Sequence, residues 1–216
     1  MKAILFGATG MVGQGVLREC LLDLEVTEVL AIGRSPTGRK HPKLHEIVRQ
    51  SLFDLSDSAP SLKGYDACFF CLGVSSAGMK QAEYRRLTHD LTIEVARVLV
   101  QENFNMTFLY VSGAGTDSSE RGRTMRARVK GKTENDLFQA AVQGGVHVAP
   151  WIYPAAARNP FEGGMVSGAL YRGSADVSAV EGDSEKVCDH DRRLGTRDDQ
   201  DRQARRAEAH LGESGH

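Results

Sequence analysis

The run Ala3-Ile4-Leu5-Phe6 passes directly into Gly7-Ala8-Thr9-Gly10-Met11-Val12-Gly13, and apolar residues at helical spacing follow. A short buried strand, a glycine-punctuated turn and a helix start leave the chain few folds to choose from. Glycine at three spaced positions lets the turn close tightly and lets another backbone or a ligand approach it. The helix then directs its unpaired first-turn N–H groups at the turn, which suits the pyrophosphate of a dinucleotide. Gly7, Gly10 and Gly13 are the expected backbone positions of that cradle, with Thr9, Met11 and Val12 completing the contact.

The rest of the chain repeats the strand–helix alternation. Residues 3–6 and 11–22 read as the first strand and helix, and Val26 to Ile32 as a second strand closed by Gly33-Arg34-Ser35-Pro36. Glu46 to Val48 makes a brief third strand and Asp66 to Leu72 a fourth. Leu87, Leu91, Val95, Val98 and Leu99 recur on one face of a long helix over 81–100. A fifth strand follows over 107–111, a helix over 124–142 and a short sixth strand over 146–148. This order predicts an α/β fold: a doubly wound parallel sheet (Rossmann fold) with right-handed crossovers.

The rhythm decays after Phe138. Gly144-Gly145, Pro150, Pro154 and Pro160 interrupt any period, and residues 181–216 are charged and lack aromatic side chains. Such a segment buries too little apolar surface to offset its ordering entropy. The expected division is a nucleotide-binding body over 1–150 and an irregular, weakly structured tail over 151–216. Loss of pattern at one point is what a shifted reading frame in a GC-rich gene produces. Residues from about 139 onward therefore read as out-of-frame sequence that truncates the sheet.

Composition excludes several function classes. The net charge is −1, from 27 basic and 28 acidic residues, so nothing steers the chain to nucleic acid or anionic lipid. Cys20, Cys68, Cys71 and Cys188 form no metal-spaced set. Cys68 and Cys71 lie in an apolar strand rather than at a helix N-terminus, as a redox dithiol would. No apolar run is long enough to span a bilayer, and the chain opens on a core strand without a basic-then-apolar leader. A cytoplasmic protein is the expectation, with no metal, no nucleic acid and no membrane among its partners.

Arg34 follows the second strand, where the adenosine ribose of a bound dinucleotide arrives. An acid there would serve a 2′-hydroxyl and a cation a 2′-phosphate, so NADP(H) is expected in preference to NAD(H). Ser35 adds a contact, Asp54 and Leu55 flank the adenine, and Gly73 passes near the sugar and pyrophosphate. Ser112 lies at the carboxyl edge of the sheet, where its hydroxyl can hold a substrate carbonyl or alcohol. Lys130, on the next helix, is placed to reach the nicotinamide ribose. Arg121, Arg123, Arg126 and Arg128 make a basic patch beside that edge, suited to a phosphate or an acidic substrate.

Gly7-Ala-Thr-Gly-Met-Val-Gly13, Gly33-Arg34-Ser35, Tyr65-Asp-Ala-Cys-Phe-Phe-Cys-Leu-Gly-Val-Ser-Ser76, Tyr110-Val-Ser-Gly-Ala-Gly-Thr116 and Val129-Lys-Gly-Lys-Thr-Glu134 together resemble the short-chain dehydrogenase/reductase superfamily. The resemblance is to its extended or atypical branch, near the Tat-interacting oxidoreductase-like proteins, and covers about the first 138 residues. It implies a catalytic serine, matched by Ser112, and a Tyr-x-x-x-Lys pair whose lysine is matched by Lys130. Where the tyrosine should stand, the chain has Arg126, and a guanidinium does not exchange a proton near neutrality. Two functions follow: an NADP(H)-dependent reductase of a small carbonyl or alcohol, or a non-catalytic NADP(H)-sensing interaction module. Pairing into a homodimer through the outer helices is a further expectation.

Overall fold

Ala3–Phe6 and Ala67–Phe70 are apolar on successive residues rather than on alternate ones, and every one of them is buried. Strands of that kind need cover on both faces, which a parallel sheet with crossover helices provides. In the computed structural model, which describes residues 1–113, 115–144 and 147–153, they become the central pair of a six-stranded sheet. The strands are β1 (Lys2–Phe6), β2 (Glu28–Gly33), β3 (Leu44–Val48), β4 (Ala67–Phe70), β5 (Thr107–Gly113) and β6 (His147–Tyr153). Their order is β3-β2-β1-β4-β5-β6 and every pairing is parallel. The doubly wound α/β fold expected from the sequence is the fold observed.

Helix α1 (Met11–Leu22) joins β1 to β2 and buries Val16, Leu17 and Cys20 against Ala3, Leu5, Val29, Ala31 and Phe69. The opposite face carries Ile4, Phe6, Ile32, Phe70, Phe108 and Tyr110. These pack under α3 (Leu91–Glu102), through Leu91, Val95 and Leu99, and against Leu137 of α4 (Met125–Gly144). Phe70 and Phe108 stack at 5.7 Å and 27°, in the offset range that aromatic pairs favour. Phe108, Tyr110 and Ser112 share a face by strand alternation, so Ser112 points to the side that α4 covers.

Two elements differ from the sequence reading. The helix expected over 81–100 is α2 (Gln81–Arg85), a π turn over Arg86–Asp90 and then α3. The wider turn carries His89, whose ring nitrogens lie 2.7 Å from Asp90 Oδ1 and 2.7 Å from Asp136 Oδ2, tying the turn to α4. The sixth strand runs from His147 to Tyr153, longer than expected, and pairs with β5 along its whole length. Of the tail expected over 151–216, residues 151–153 belong to β6; residues 154–216, and most of the stretch read as out of frame, lie outside the described residues. Among the described residues no helix is long and apolar enough to cross a membrane.

Candidate nucleotide and proton-transfer site

The β1–α1 turn is built at distances only glycine permits. Gly7 has φ +80°, and a Cβ there would meet the Cys71 carbonyl carbon and oxygen at 2.8 Å. A Cβ on Gly13 would lie 2.0 Å from the Gly7 carbonyl oxygen, so α1 leans directly onto the turn. Gly10 donates its N–H to Gly7 O at 3.0 Å and caps α1 without a side-chain hydrogen bond. No acidic residue occupies the first turn of α1, and Thr9, Gly10 and Met11 are exposed. The N–H groups of that turn, Val12 included, are thus open to an anionic ligand.

A cleft runs from this turn across the carboxyl ends of β1 and β2. It is lined by Gly7, Thr9, Arg34, Ser35, Leu52 and Leu72, together with Thr37 and Glu46. The structure therefore brings the expected turn residues together with Arg34 and Ser35. Among the described residues the Arg34 guanidinium has no ion-pair or hydrogen-bond partner. Glu46 was not among the sequence candidates; its Oε1 accepts the Thr37 N–H at 2.7 Å, which fixes the loop after β2. Parallel pairing of Ala31 with Glu46 is what carries this acid to the cleft, and strand register is not readable locally.

The residues after β3 divide differently from expectation. Leu55 is 2% exposed and belongs to the core under α3, whereas Leu52 lines the cleft. Asp54 is exposed, and its Oδ1 accepts from the Ser56 hydroxyl at 2.6 Å and the Ser56 N–H at 3.0 Å. Those bonds hold its carboxyl below the ordinary range. Gly73 is exposed, with open space where a Cβ would project. Cys68 is fully buried in β4, and burial pushes the Cys68 and Cys71 thiols up, away from thiolate chemistry.

A second group stands at the carboxyl end of β5. The Ser112 hydroxyl, on a residue 4% exposed, is hydrogen-bonded with Glu134 Oε1 and lies 2.9 Å from Thr116 Oγ1. Lys130 lies one turn before Glu134 on α4. Its Nζ donates to Val111 O at 3.2 Å and stands 5.3 Å from the Tyr110 ring centre. Burial lowers the Lys130 ammonium and raises the Glu134 carboxyl, each against the pull of the other's charge. Ser112 and Lys130 thus stand at the same end of β5, with Glu134 hydrogen-bonded to Ser112 and acting on Lys130 through its charge alone.

Arg126 holds the position of the expected phenol. It is exposed, and its Nη1 would lie 3.4 Å from a Cβ on Gly113. Arg128 is structural: it donates to Gly122 O at 2.7 Å, Arg123 O at 3.0 Å and Gln81 Oε1 at 2.9 Å. The basic patch is therefore partly consumed in holding the loop before α4. That loop crosses α4 at Gly131, where a Cβ would meet Asp117 O at 1.9 Å. Among the described residues no group of three or more His, Cys, Asp or Glu side chains is placed to hold a metal.

No family model matches the chain. Two curated fungal relatives are named Protein FMP52, mitochondrial. The one from Eremothecium gossypii is 27% identical over 154 residues, 70% of this chain and 66% of its own length. The one from Chaetomium globosum is 22% identical over 164 residues, 74% of this chain and 69% of its own length. Both names place those proteins in mitochondria, so the cytoplasmic expectation is withdrawn. Among solved structures, the UDP-glucose 4-epimerase of Thermotoga maritima matches with a TM-score of 0.55 at 14% identity, over 69% of this chain and 54% of that one. The Bordetella bronchiseptica enzyme WbmF, solved with NAD+ and UDP, matches with a TM-score of 0.56 at 16% identity, over 71% and 48%. The chain thus spans about half the length of these structures and shares their fold.

Proposed function

We propose that the chain binds NADP(H) and reduces a small carbonyl compound, or oxidises the corresponding alcohol. The observation that carries this reading is one cleft holding both the glycine-punctuated turn and Arg34, a cation without an ion-pair partner among the described residues. Gly7 to Gly13 would hold the pyrophosphate, and Arg34 with Ser35 the 2′-phosphate. When bound, the reduced nicotinamide supplies a hydride to the carbonyl carbon. Ser112 would orient the carbonyl oxygen, and Lys130, whose Nζ bonds Val111 O at the end of β5, would hold the nicotinamide ribose. The WbmF complex with NAD+ supports a pyridine nucleotide without choosing between its two forms.

Titration of the protein with NADPH and with NADH, followed by nucleotide fluorescence, tests the binding half. Saturable binding that is at least tenfold tighter for NADPH is expected, and equal or absent binding refutes it. Loss of NADPH absorbance on adding a panel of aldehydes and ketones tests the chemistry. A second reading, an NADP(H)-sensing interaction module, draws on Arg126 standing where a phenol is expected. Tight binding with no nucleotide oxidation across the panel selects it.

A further inference from the structure

Three side-chain oxygens at the end of β5 form an unbranched row. The Thr116 hydroxyl donates to Gly113 O at 2.7 Å, so its own hydrogen is already used. The 2.9 Å contact between Ser112 Oγ and Thr116 Oγ1 therefore needs the serine's hydrogen. Ser112 Oγ also contacts Glu134 Oε1. With Glu134 ionised, one serine hydrogen faces two acceptors, and one oxygen pair is left without a proton between its members. With a proton on Glu134 the count closes: Glu134 donates to Ser112, Ser112 to Thr116, and Thr116 to the Gly113 carbonyl.

The surroundings act the same way on balance. Burial raises the Glu134 carboxyl, while Ser112 and the Lys130 ammonium oppose it. Lys130 spends its hydrogen bond on Val111 O, away from the carboxylate. The other titratable neighbour is the Tyr110 phenol on β5, buried and pushed up by that burial and by the Glu134 charge. Arg126 bears on the group only through Lys130, whose ammonium it further disfavours.

We infer that Glu134 is the proton reservoir of this site and feeds the oxygen of a bound carbonyl substrate through the Ser112 hydroxyl. This rests on the reductase reading, with the electron pair supplied by reduced pyridine nucleotide. The substrate oxygen replaces Thr116 as the acceptor of the Ser112 hydrogen. The serine O–H bond breaks as the product's O–H bond forms. Ser112 regains a hydrogen from Glu134, and the resulting carboxylate takes one proton from solvent, so one proton is consumed per carbonyl reduced. Alcohol oxidation runs the row backwards. Arg126 has no proton to give near neutrality, and the Tyr110 phenol lies under α4.

Carboxyl carbon NMR of glutamate-labelled protein reads the proton without any turnover, with Glu134→Gln identifying the signal. The Glu134 carboxyl is expected to titrate above the ordinary glutamate value of about 4.3 and to shift in Ser112→Ala. Titration at or below that value overturns the inference. In turnover with NADPH and propanal, Glu134→Gln is expected to lower kcat by about 100-fold or more and to flatten its pH profile. Its NADPH affinity should stay within about twofold of wild type, and Glu134→Asp should recover part of the rate. A Glu134→Gln protein with wild-type kcat and pH profile overturns the relay. So does a wild type that binds NADPH but oxidises none of it. Absence of NADPH binding strikes the reductase reading and the relay's purpose together, while the NMR titration still decides where the proton resides.

Discussion

Gly13→Ala isolates the close approach on which the phosphate turn depends. The added Cβ would stand 2.0 Å from the Gly7 carbonyl oxygen, 2.6 Å from its carbon and 3.0 Å from Ala8 Cα. All three are backbone atoms, so no rotamer change relieves the contact. Bringing 2.0 Å to the 3.0 Å that is the near limit for a real Cβ moves α1 off β1 by about 1 Å. That movement strips contact from Val16, Leu17 and Cys20, all within 1% of complete burial. The expected cost is about 3 kcal/mol, the upper end for overpacking a dense interior, or roughly 6–12 °C in Tm for a domain of this size. Nucleotide affinity should fall with it, because the first-turn N–H groups move with the helix. Gly73→Ala is the control for stability alone, since nothing lies within 4 Å of its Cβ position. Urea unfolding of both variants and NADPH titration of Gly13→Ala against wild type provide the measurement. A Gly13→Ala protein with the wild-type midpoint and affinity refutes the claim that the turn and helix are in fixed contact.

Arg34→Asp is expected to weaken NADPH binding by roughly 10- to 100-fold, as loss of a charge-assisted contact does, and to leave NADH binding equal or tighter; fluorescence titration checks it. Gly131→Ala should destabilise as much as Gly13→Ala, because its Cβ would meet Asp117 O at 1.9 Å, yet on α4, at a loop crossing away from the β1–α1 turn; urea unfolding measures it. Arg126→Tyr places a phenol at the vacant acid position and is expected to restore much of the kcat lost in Glu134→Gln, so rates of both single variants and the double one decide whether two proton routes converge on one substrate oxygen. Because Glu134 is raised in the folded state, its favourable contribution is complete below the ordinary glutamate value and is lost as pH rises through the folded value. The stability of Glu134→Gln relative to wild type should therefore grow with pH over that window, as urea midpoints across it will show.

What the sequence made legible was local. Strand β1 and its three glycines announce themselves because hydrophobicity, turn and helix fall within thirteen consecutive residues. Arg34 was readable for a similar reason, since it follows a strand end. The constraint on Gly131 had no such signature: it comes from a loop segment at Asp117 that crosses α4, and any helix glycine looks the same until that crossing is known. The π turn was hidden because Leu87 and Leu91 keep helical spacing whichever turn carries them. Leu52 rather than Leu55 faces the cleft, although both are buried in one core, because the irregular chain after β3 decides which of them does. Glu134 was visible as part of a matching segment, but its contact with Ser112 depends jointly on strand alternation in β5 and the rotational phase of α4.

That joint dependence also bears on why Arg126 is tolerated. Ser112 is placed by β5, whose Phe108 and Tyr110 are fixed in the aromatic core beside Phe70. Lys130 and Glu134 are placed by the middle of α4, held by Leu137 in the core, by the Gly131 crossing and by Asn135, which donates to Ser118 O at 2.9 Å. The row from Glu134 to Gly113 is thus assembled by folding itself, and little reorganisation remains for a ligand to drive. Position 126 is the reverse case: it lies in the first turn of α4, exposed and outside both core clusters. A substitution there alters the chemistry at the sheet edge with little consequence for packing. The phenol that the resemblance implies at 126 and the Ser112–Glu134–Lys130 group are therefore separable features, and the proposed proton route lies in the part that the core holds in place.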